Sequence, residues 1–191
     1  MSSMHEEDKD LISKTLCGDK KAFEMIIRKY QQPLLNYIGR MVRERELALD
    51  FTQEVFIKSY SSLNSYQSQY KFSTWLFKIA SNLVIDHWRK KKIDSFSLDE
   101  HSGSDTGKLP IQIPGNDCSI GKKFELQEIK ERIEIALEKI PPALRELFVW
   151  RHINEFSYEE IAELKEMPVG TIKNRVFQAK EQLRKILREE K

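Results

Sequence analysis

Residues Ser157–Lys185 read SYEEIAELKEMPVGTIKNRVFQAKEQLRK. Two helical patterns lie in this stretch, separated by a short break. In the first, Ser157 is followed three residues later by Glu160, the spacing of a capping box in which hydroxyl and carboxylate each satisfy a backbone N–H at a helix start. Pro168 marks the break. Beyond it Ile172, Val176, Ala179, Leu183 and Ile186 or Leu187 recur at helical steps and predict a buried stripe. The remaining surface is cationic, with Lys173, Arg175, Lys180, Arg184, Lys185 and Arg188 against a single acid, Glu181. Two helices joined by a tight turn, the second longer and basic, match a helix-turn-helix. A solvated basic face on an ordinary helix is the competing reading, and the capping box, the turn and the cation placement together disfavour it. In such a motif the first residues of the second helix reach base edges, while later cations meet phosphates. That order assigns Lys173, Asn174 and Phe177 to the groove, and Arg175, Lys180 and Arg184 to the backbone. Asparagine pairs with adenine, and a phenyl ring packs on a thymine methyl.

The rest of the chain bounds what this motif belongs to. At 191 residues there is room for one ordinary domain or two small ones, and 40% hydrophobic with 32% charged residues describes a soluble, core-forming chain. Seven glycines and six prolines punctuate a sequence rich in helix formers, which predicts an all-α fold. The net charge of +2 is nearly neutral, so a basic function has to come from local clustering. No run approaches the roughly 18 apolar residues that cross a bilayer. The acidic start MSSMHEEDKD is not a signal peptide, so a cytoplasmic location without membrane insertion is expected. Cys17 and Cys118 fall outside any CxxC pattern and read as free thiols, and the four histidines lack ligand spacing. No metal, cofactor or small-molecule substrate is expected.

Between Asp94 and Lys123 helical periodicity vanishes, and Gly103, Gly107, Gly115, Gly121, Pro110 and Pro114 crowd together. This segment reads as a flexible linker joining two small helical domains, 9–93 and 124–188, the second containing the helix-turn-helix. About 30 residues reach roughly 100 Å when extended and average nearer 30 Å as a free coil. The C-terminal part reads as four helices, the first amphipathic through Leu126, Ile129, Ile133 and Leu137, with Pro141-Pro142 ending it and starting the next.

The N-terminal part also reads as four helices. Leu11, Ile12 and Leu16 open the first, and Asp19 is placed to cap the second, which Pro33 would bend or divide. The third buries Leu47, Phe51, Val55 and Tyr60 and sets Asp50, Gln53 and Glu54 on its exposed side, which alone reads as a solvated face. Ser73 is placed to cap the fourth, WLFKIASNLVIDHWRKKK from Trp75 to Lys92. There Leu76, Ala80, Leu83 and Trp88 form the buried side, while Lys78, Asn82, Arg89 and Lys92 make a polar stripe. Trapping melted DNA needs aromatic surfaces, a polar pocket for a flipped base and backbone cations. Tyr66, Tyr70, Phe72 and Lys71 supply such groups in and beside the loop NSYQSQYKF. For Trp75, core packing and DNA contact are both open; for Tyr70 and Phe72, core packing and stacking are.

IPPALRELFVWRHINEFSYEEIAELKEMPVGTIKNRVFQAKEQLRK resembles the carboxy-terminal domain of the extracytoplasmic-function (group IV) sigma factors of the sigma-70 family. GDKKAFEMIIRKYQQPLLNYIGRMV, ALDFTQEVFIKSY and KFSTWLFKIASNLVIDHWRKKK are similar to successive segments of that family's other domain. The resemblance implies a non-catalytic subunit that binds core RNA polymerase and directs initiation at promoter DNA. Thr171, Lys173, Asn174, Arg175, Phe177, Gln178, Lys180 and Arg184 would then face the −35 element. Tyr66, Lys71, Trp75, Lys78, Asn82 and Arg89 would recognise and melt the −10 element, with Asn82 at the flipped base. Asp50, Gln53 and Glu54 would dock on the clamp of the largest polymerase subunit, and an anti-sigma factor would hold the protein in check. In this family the linker is held extended through the polymerase, and only so could it cover the roughly 50–70 Å between the two elements.

Four positions depart from the family pattern. Lys165 and Glu166 stand where Leu-Gly is common in the turn, so either Glu166 carries about 1 kcal/mol of strain or the turn differs. Gln178 replaces a frequent arginine, altering or removing one DNA contact. Leu49 replaces a frequent acid, which weakens steering toward polymerase. The alternatives are a stand-alone helix-turn-helix regulator of duplex DNA, an enzyme, and a membrane-surface protein. The first would want a ligand pocket, phosphoacceptor or dimer interface in the N-terminal domain; the second a phosphate loop, nucleophile elbow or metal triad. The third would need an apolar face that the fourth helix uses for its core.

Overall fold

Asp19 closes one helix and opens the next. Its N–H donates to the Lys14 carbonyl at 3.0 Å across Gly18, whose φ of 96° is a left-handed turn that favours glycine. Its carboxylate accepts from the N–H groups of Lys21 at 2.9 Å and Ala22 at 3.4 Å, as an N-cap does. The structure, a computed structural model, describes the backbone of residues 2–97 and 120–189 and the side chains of residues 6–91 and 128–189. The chain divides into two compact units, 1–109 and 110–191, and the regular structure among the described residues is helical.

In the first unit, α1 (Ser2–Leu16), α2 (Lys20–Val42), α3 (Arg45–Ser61) and α4 (Phe72–Ser97) build one core, with a 3₁₀ turn at Leu63–Ser65. α2 is central and packs on the other three. Ile26, Leu34, Tyr37 and Ile38 on it have no exposed surface. Pro33 does not divide α2, which runs through it unbroken. Proline removes one N–H from the ladder, but Leu34 and Tyr37 just beyond it are held by their burial.

Two local expectations change. Val55 is fully buried and Leu47 and Phe51 half-buried, but Tyr60 is 48% exposed, with its ring edge on Phe23 at 4.8 Å. Ser59 takes the inward position instead and donates to the Phe56 carbonyl at 2.9 Å, so residue 60 points outward. Ser73 lies inside α4 and does not cap it, because the Trp75 N–H already reaches the Lys71 carbonyl at 3.2 Å. The complete burial of Phe72 places it in the helix and moves the start forward. Leu76, Ala80 and Leu83 are buried as expected, and Trp88 is half-buried.

The second unit comprises α5 (Ile120–Lys139), α6 (Pro142–His152), α7 (Tyr158–Lys165) and α8 (Val169–Glu189). α8 packs on the other three, and Ile172, Val176, Ala179 and Leu183 are all buried. Ile186 and Leu187 pack on a cluster of Ala136, Leu137 and Ile140 that reaches back along α5 to Ile133. Ile129 lies beyond that cluster and is 50% exposed, contrary to expectation. Arg145, buried on α6, donates to the carbonyls of Glu138 at 2.8 Å and Ile140 at 3.1 Å, satisfying the end of α5. The 94–123 segment is helical at both ends, since α4 runs to Ser97 and α5 begins at Ile120. Residues 98–119, with Cys118, and the side chains of Lys92 and Leu126 lie outside the described residues.

The α7–α8 turn settles the question raised by Lys165 and Glu166. Glu166 has φ 53° and ψ 44°, and the Met167 N–H donates to the Ala162 carbonyl at 2.9 Å. This is the same six-to-one closure that Gly18 makes in the first unit, here with a side chain in the left-handed region. Lys165 is not left in an apolar slot. Its Nζ lies 2.6 Å from Oε2 of Glu146, which is buried on α6, and 4.8 Å from the Trp150 ring centroid. Its methylenes are covered while the ammonium neutralises a buried carboxylate. Replacing Glu166 with glycine should stabilise the second unit by about 1 kcal/mol. Hydrogen exchange of the α6 and α8 amides measures this, and unchanged protection would contradict it. Lys165→Met should cost about 3 kcal/mol by leaving Glu146 without its nearest cation, read by the same exchange.

Candidate nucleic-acid interface

The burial of Ile172, Val176, Ala179 and Leu183 decides what α8 shows to solvent. Lys173, Asn174, Gln178, Lys180 and Arg184 are exposed, and Phe177 is 60% exposed among them. Arg184 pairs with Glu181 at 2.7 Å. Thr171 is half-buried in the first turn, its N–H on the Pro168 carbonyl at 2.9 Å. Arg175 is set back, half-buried with its guanidinium 3.4 Å from Met167 Sδ, and so supports the turn more than the outer face.

Sequence reasoning missed two residues here. The Tyr158 ring has the Arg151 guanidinium 4.9 Å and the Lys173 Nζ 5.7 Å from its centroid. The capping box holds this corner: the Glu160 N–H donates to Ser157 Oγ at 3.1 Å, and the Ser157 N–H to Glu160 Oε2 at 2.7 Å. The end of α6 and the starts of α7 and α8 thus gather two cations around one ring. The available signal was a tyrosine directly after the cap; Arg151 gave none, because its place depends on the α6–α7 corner. His152, with its ring against Phe148 at 4.7 Å, titrates below the ordinary histidine range because burial, Arg151 and Lys180 disfavour its charge. The positive charge on this surface is therefore lysine and arginine charge, constant near neutral pH.

In the first unit the rings converge at the start of α4. Phe72 is fully buried and meets Tyr30 at 5.7 Å, Tyr66 at 5.4 Å and Trp75 at 5.5 Å between centroids. Tyr66 and Trp75 also touch, at 5.6 Å. Phe72 is therefore core, Trp75 is half-buried with part of its ring on the surface, and Tyr70 is 40% exposed. The Tyr66 hydroxyl donates to the Tyr70 carbonyl at 2.6 Å and closes the loop. Burial, then the charge of Asp8, pushes the Tyr66 phenol up to about 12, so this donor stays protonated. Lys71 is exposed and Lys78 half-buried. Asn82 is exposed on the wall of an open groove of about 440 Å³ between α3 and α4, which Ile57, Ser61 and Leu83 also line. Arg89 is exposed and pairs with Asp86 at 3.3 Å. From Trp75 to Arg89 the stripe runs about 21 Å along the helix. On α3, Asp50 and Gln53 are exposed, Glu54 is half-exposed and paired with Lys58 at 2.8 Å, and Leu49 is 36% exposed beside them.

Two family models match the chain, Sigma-70 region 2 over residues 26–93 and Sigma-70, region 4 over residues 130–183. The ECF RNA polymerase sigma factor SigW of Bacillus subtilis is 36% identical over 172 residues, covering 90% of this chain and 92% of its own length. This chain belongs to the extracytoplasmic-function sigma factors. The RNA polymerase sigma-H factor of Pseudomonas aeruginosa is 32% identical across 95% of this chain and 94% of that one. The ECF RNA polymerase sigma-E factor of Escherichia coli is 31% identical across 91% of each. Among solved structures, CnrH in complex with the cytosolic domain of CnrY shares the fold at a TM-score of 0.70 and 19% identity, spanning 97% of this chain and 99% of that one. The sigma factor RpoE of Bartonella quintana, in complex with the anti-sigma factor NepR, does so at 0.66 and 22%, spanning 88% and 98%. This sigma factor therefore joins core RNA polymerase and directs initiation at particular promoters. No described helix is long and apolar enough to cross a membrane.

Tyr66→Phe removes the donor that closes the loop. Limited proteolysis should then cut within residues 66–71 about fivefold faster. An unchanged rate would mean that the ring contacts alone hold the loop.

Proposed function

We propose that this sigma factor divides promoter recognition between its units, without catalysing any reaction itself. Residues 124–188 read the −35 duplex with Lys173, Asn174 and Phe177 in the groove and Lys180, Arg184 and the Arg151–Tyr158 corner on phosphates. Residues 9–93 bind core polymerase through Asp50, Gln53 and Glu54, and take up the melted −10 strand along loop 66–71 and α4. Residues 94–123 connect the two.

The observation that carries this reading is Phe177. A phenyl side chain 60% exposed among Lys173, Asn174 and Lys180, on a helix that buries Ile172, Val176, Ala179 and Leu183 on its other side, adds little to the core and is placed among cations. It suits a thymine methyl in a groove lined by phosphates. The groove beside Asn82 supports the −10 assignment in the same way: an exposed amide at the mouth of an open pocket fits the Watson–Crick edge of a flipped base. The cytoplasm, where polymerase works, is the site of action. CnrH and RpoE are each seen bound to a second protein. An anti-sigma factor covering these same surfaces is the corresponding partner here.

Phe177→Ala should weaken binding to the −35 duplex by about 1–3 kcal/mol, measured by fluorescence anisotropy. Asn82→Ala should reduce promoter opening about tenfold while leaving affinity for core polymerase intact. Permanganate reactivity of the −10 thymines reports opening, and loss of polymerase binding in that variant would refute the assignment.

A further inference from the structure

Asp8 on α1 is 4% exposed, and it lies outside the residues 26–93 that match the family model. Both of its carboxylate oxygens are engaged. Oδ1 accepts from Lys29 Nζ at 2.6 Å and Oδ2 from the Tyr30 hydroxyl at 2.6 Å. α1 also packs against the 3₁₀ turn and α4, so it reaches the part of the unit that carries the loop.

We propose that Asp8 is a positioning residue for −10 recognition, acting through Tyr30 on the ring cluster that seats loop 66–71. The path is short. Tyr30 meets Phe72 edge-on at 5.7 Å and 62°, and Phe72 meets Tyr66 at 5.4 Å and 86° and Trp75 at 5.5 Å and 38°. Tyr66 in turn closes the loop through the Tyr70 carbonyl.

A buried carboxylate is a poor source of stability, since apolar replacements of similar volume often do as well. What it supplies is direction. The Tyr30 ring would fill the same space without its hydroxyl, but the bond to Asp8 fixes its hydroxyl end, and Phe72 packs edge-on against that ring with Tyr66 and Trp75 against Phe72. Lys29 neutralises the other oxygen and keeps Asp8 from turning away. Burial and the Asp8 hydrogen bond both raise the Tyr30 phenol, so it remains a donor throughout the working range.

This inference rests on the reading of Trp75 and Asn82 as −10 contacts, and the test separates the two. The full chain is assembled with core polymerase on a promoter it initiates from, with wild type, Trp75→Ala, Tyr30→Phe and Asp8→Asn compared. Permanganate reactivity of the −10 thymines gives opening, and the Trp75 indole NMR signal of the free chain gives ring geometry. Tyr30→Phe, which keeps the ring and the packing, is the deciding variant. It should lower opening about tenfold, shift the Trp75 signal and leave core affinity unchanged. Asp8→Asn, which keeps an acceptor, should fall between it and wild type. If Trp75→Ala lowers opening but Tyr30→Phe does not, the positioning role of Asp8 is overturned while the −10 reading stands. If Tyr30→Phe lowers opening only in step with thermal stability and the Trp75 signal stays put, Asp8 is merely structural and the proposal fails. If Trp75→Ala leaves opening unchanged, the −10 reading itself fails, and the proposal with it.

Discussion

On the proposed reading, the helix that meets DNA in each unit also holds that unit together, and its two sides divide those tasks. α8 gives Ile172, Val176, Ala179 and Leu183 to the core, and α4 gives Leu76, Ala80 and Leu83. Once those stripes are buried, rotation about either helix axis is fixed. The residues left outside are then determined: Lys173, Asn174, Phe177 and Lys180 on one helix, Lys71, Asn82 and Arg89 around the other. On this reading the packing of each helix aims its outward side chains, and the Asp8–Tyr30 bond adds a second constraint on the rings at the start of α4.

The two units solve the problem of a non-helical approach differently. In the second, the turn before α8 is closed by backbone hydrogen bonds and by the buried Lys165–Glu146 pair, while Glu166 accepts a left-handed backbone. The local cost of that conformation, about 1 kcal/mol, is small beside the closure and the buried contacts it permits. In the first, the loop before α4 has no regular hydrogen-bond ladder and is seated on rings instead, with Phe72 as the buried hub. A ring cluster seats a loop while leaving the edges of Tyr66 and Trp75 partly open to a strand.

Much of this was legible in the sequence, for identifiable reasons. The α8 stripe, the Ser157–Glu160 capping box and the Asp19 cap are local patterns, and local patterns suffice for them. Glu166 was legible as a conflict between residue and turn, and the backbone bonds decide it for the turn. Tyr60 and Ile129 were misread because periodicity identifies a helix face but not where the opposing surface stops, and Ser73 because a capping hydroxyl does not reveal that the Trp75–Lys71 backbone bond starts the helix earlier. The pairing of Arg151 and Lys173 around Tyr158, and the bond between Asp8 and Tyr30, join residues distant in the chain. No spacing rule reaches them.

The central claim is that two separately packed helices read two separated elements for one polymerase. Initiation from a promoter library randomised at both elements tests it most directly, with the purified chain added to core RNA polymerase and the transcripts sequenced. The account predicts enrichment of one −35 and one −10 motif at a preferred spacing, absent from core polymerase alone. Duplex binding by the chain on its own, with no promoter-specific transcripts when polymerase is present, would contradict it.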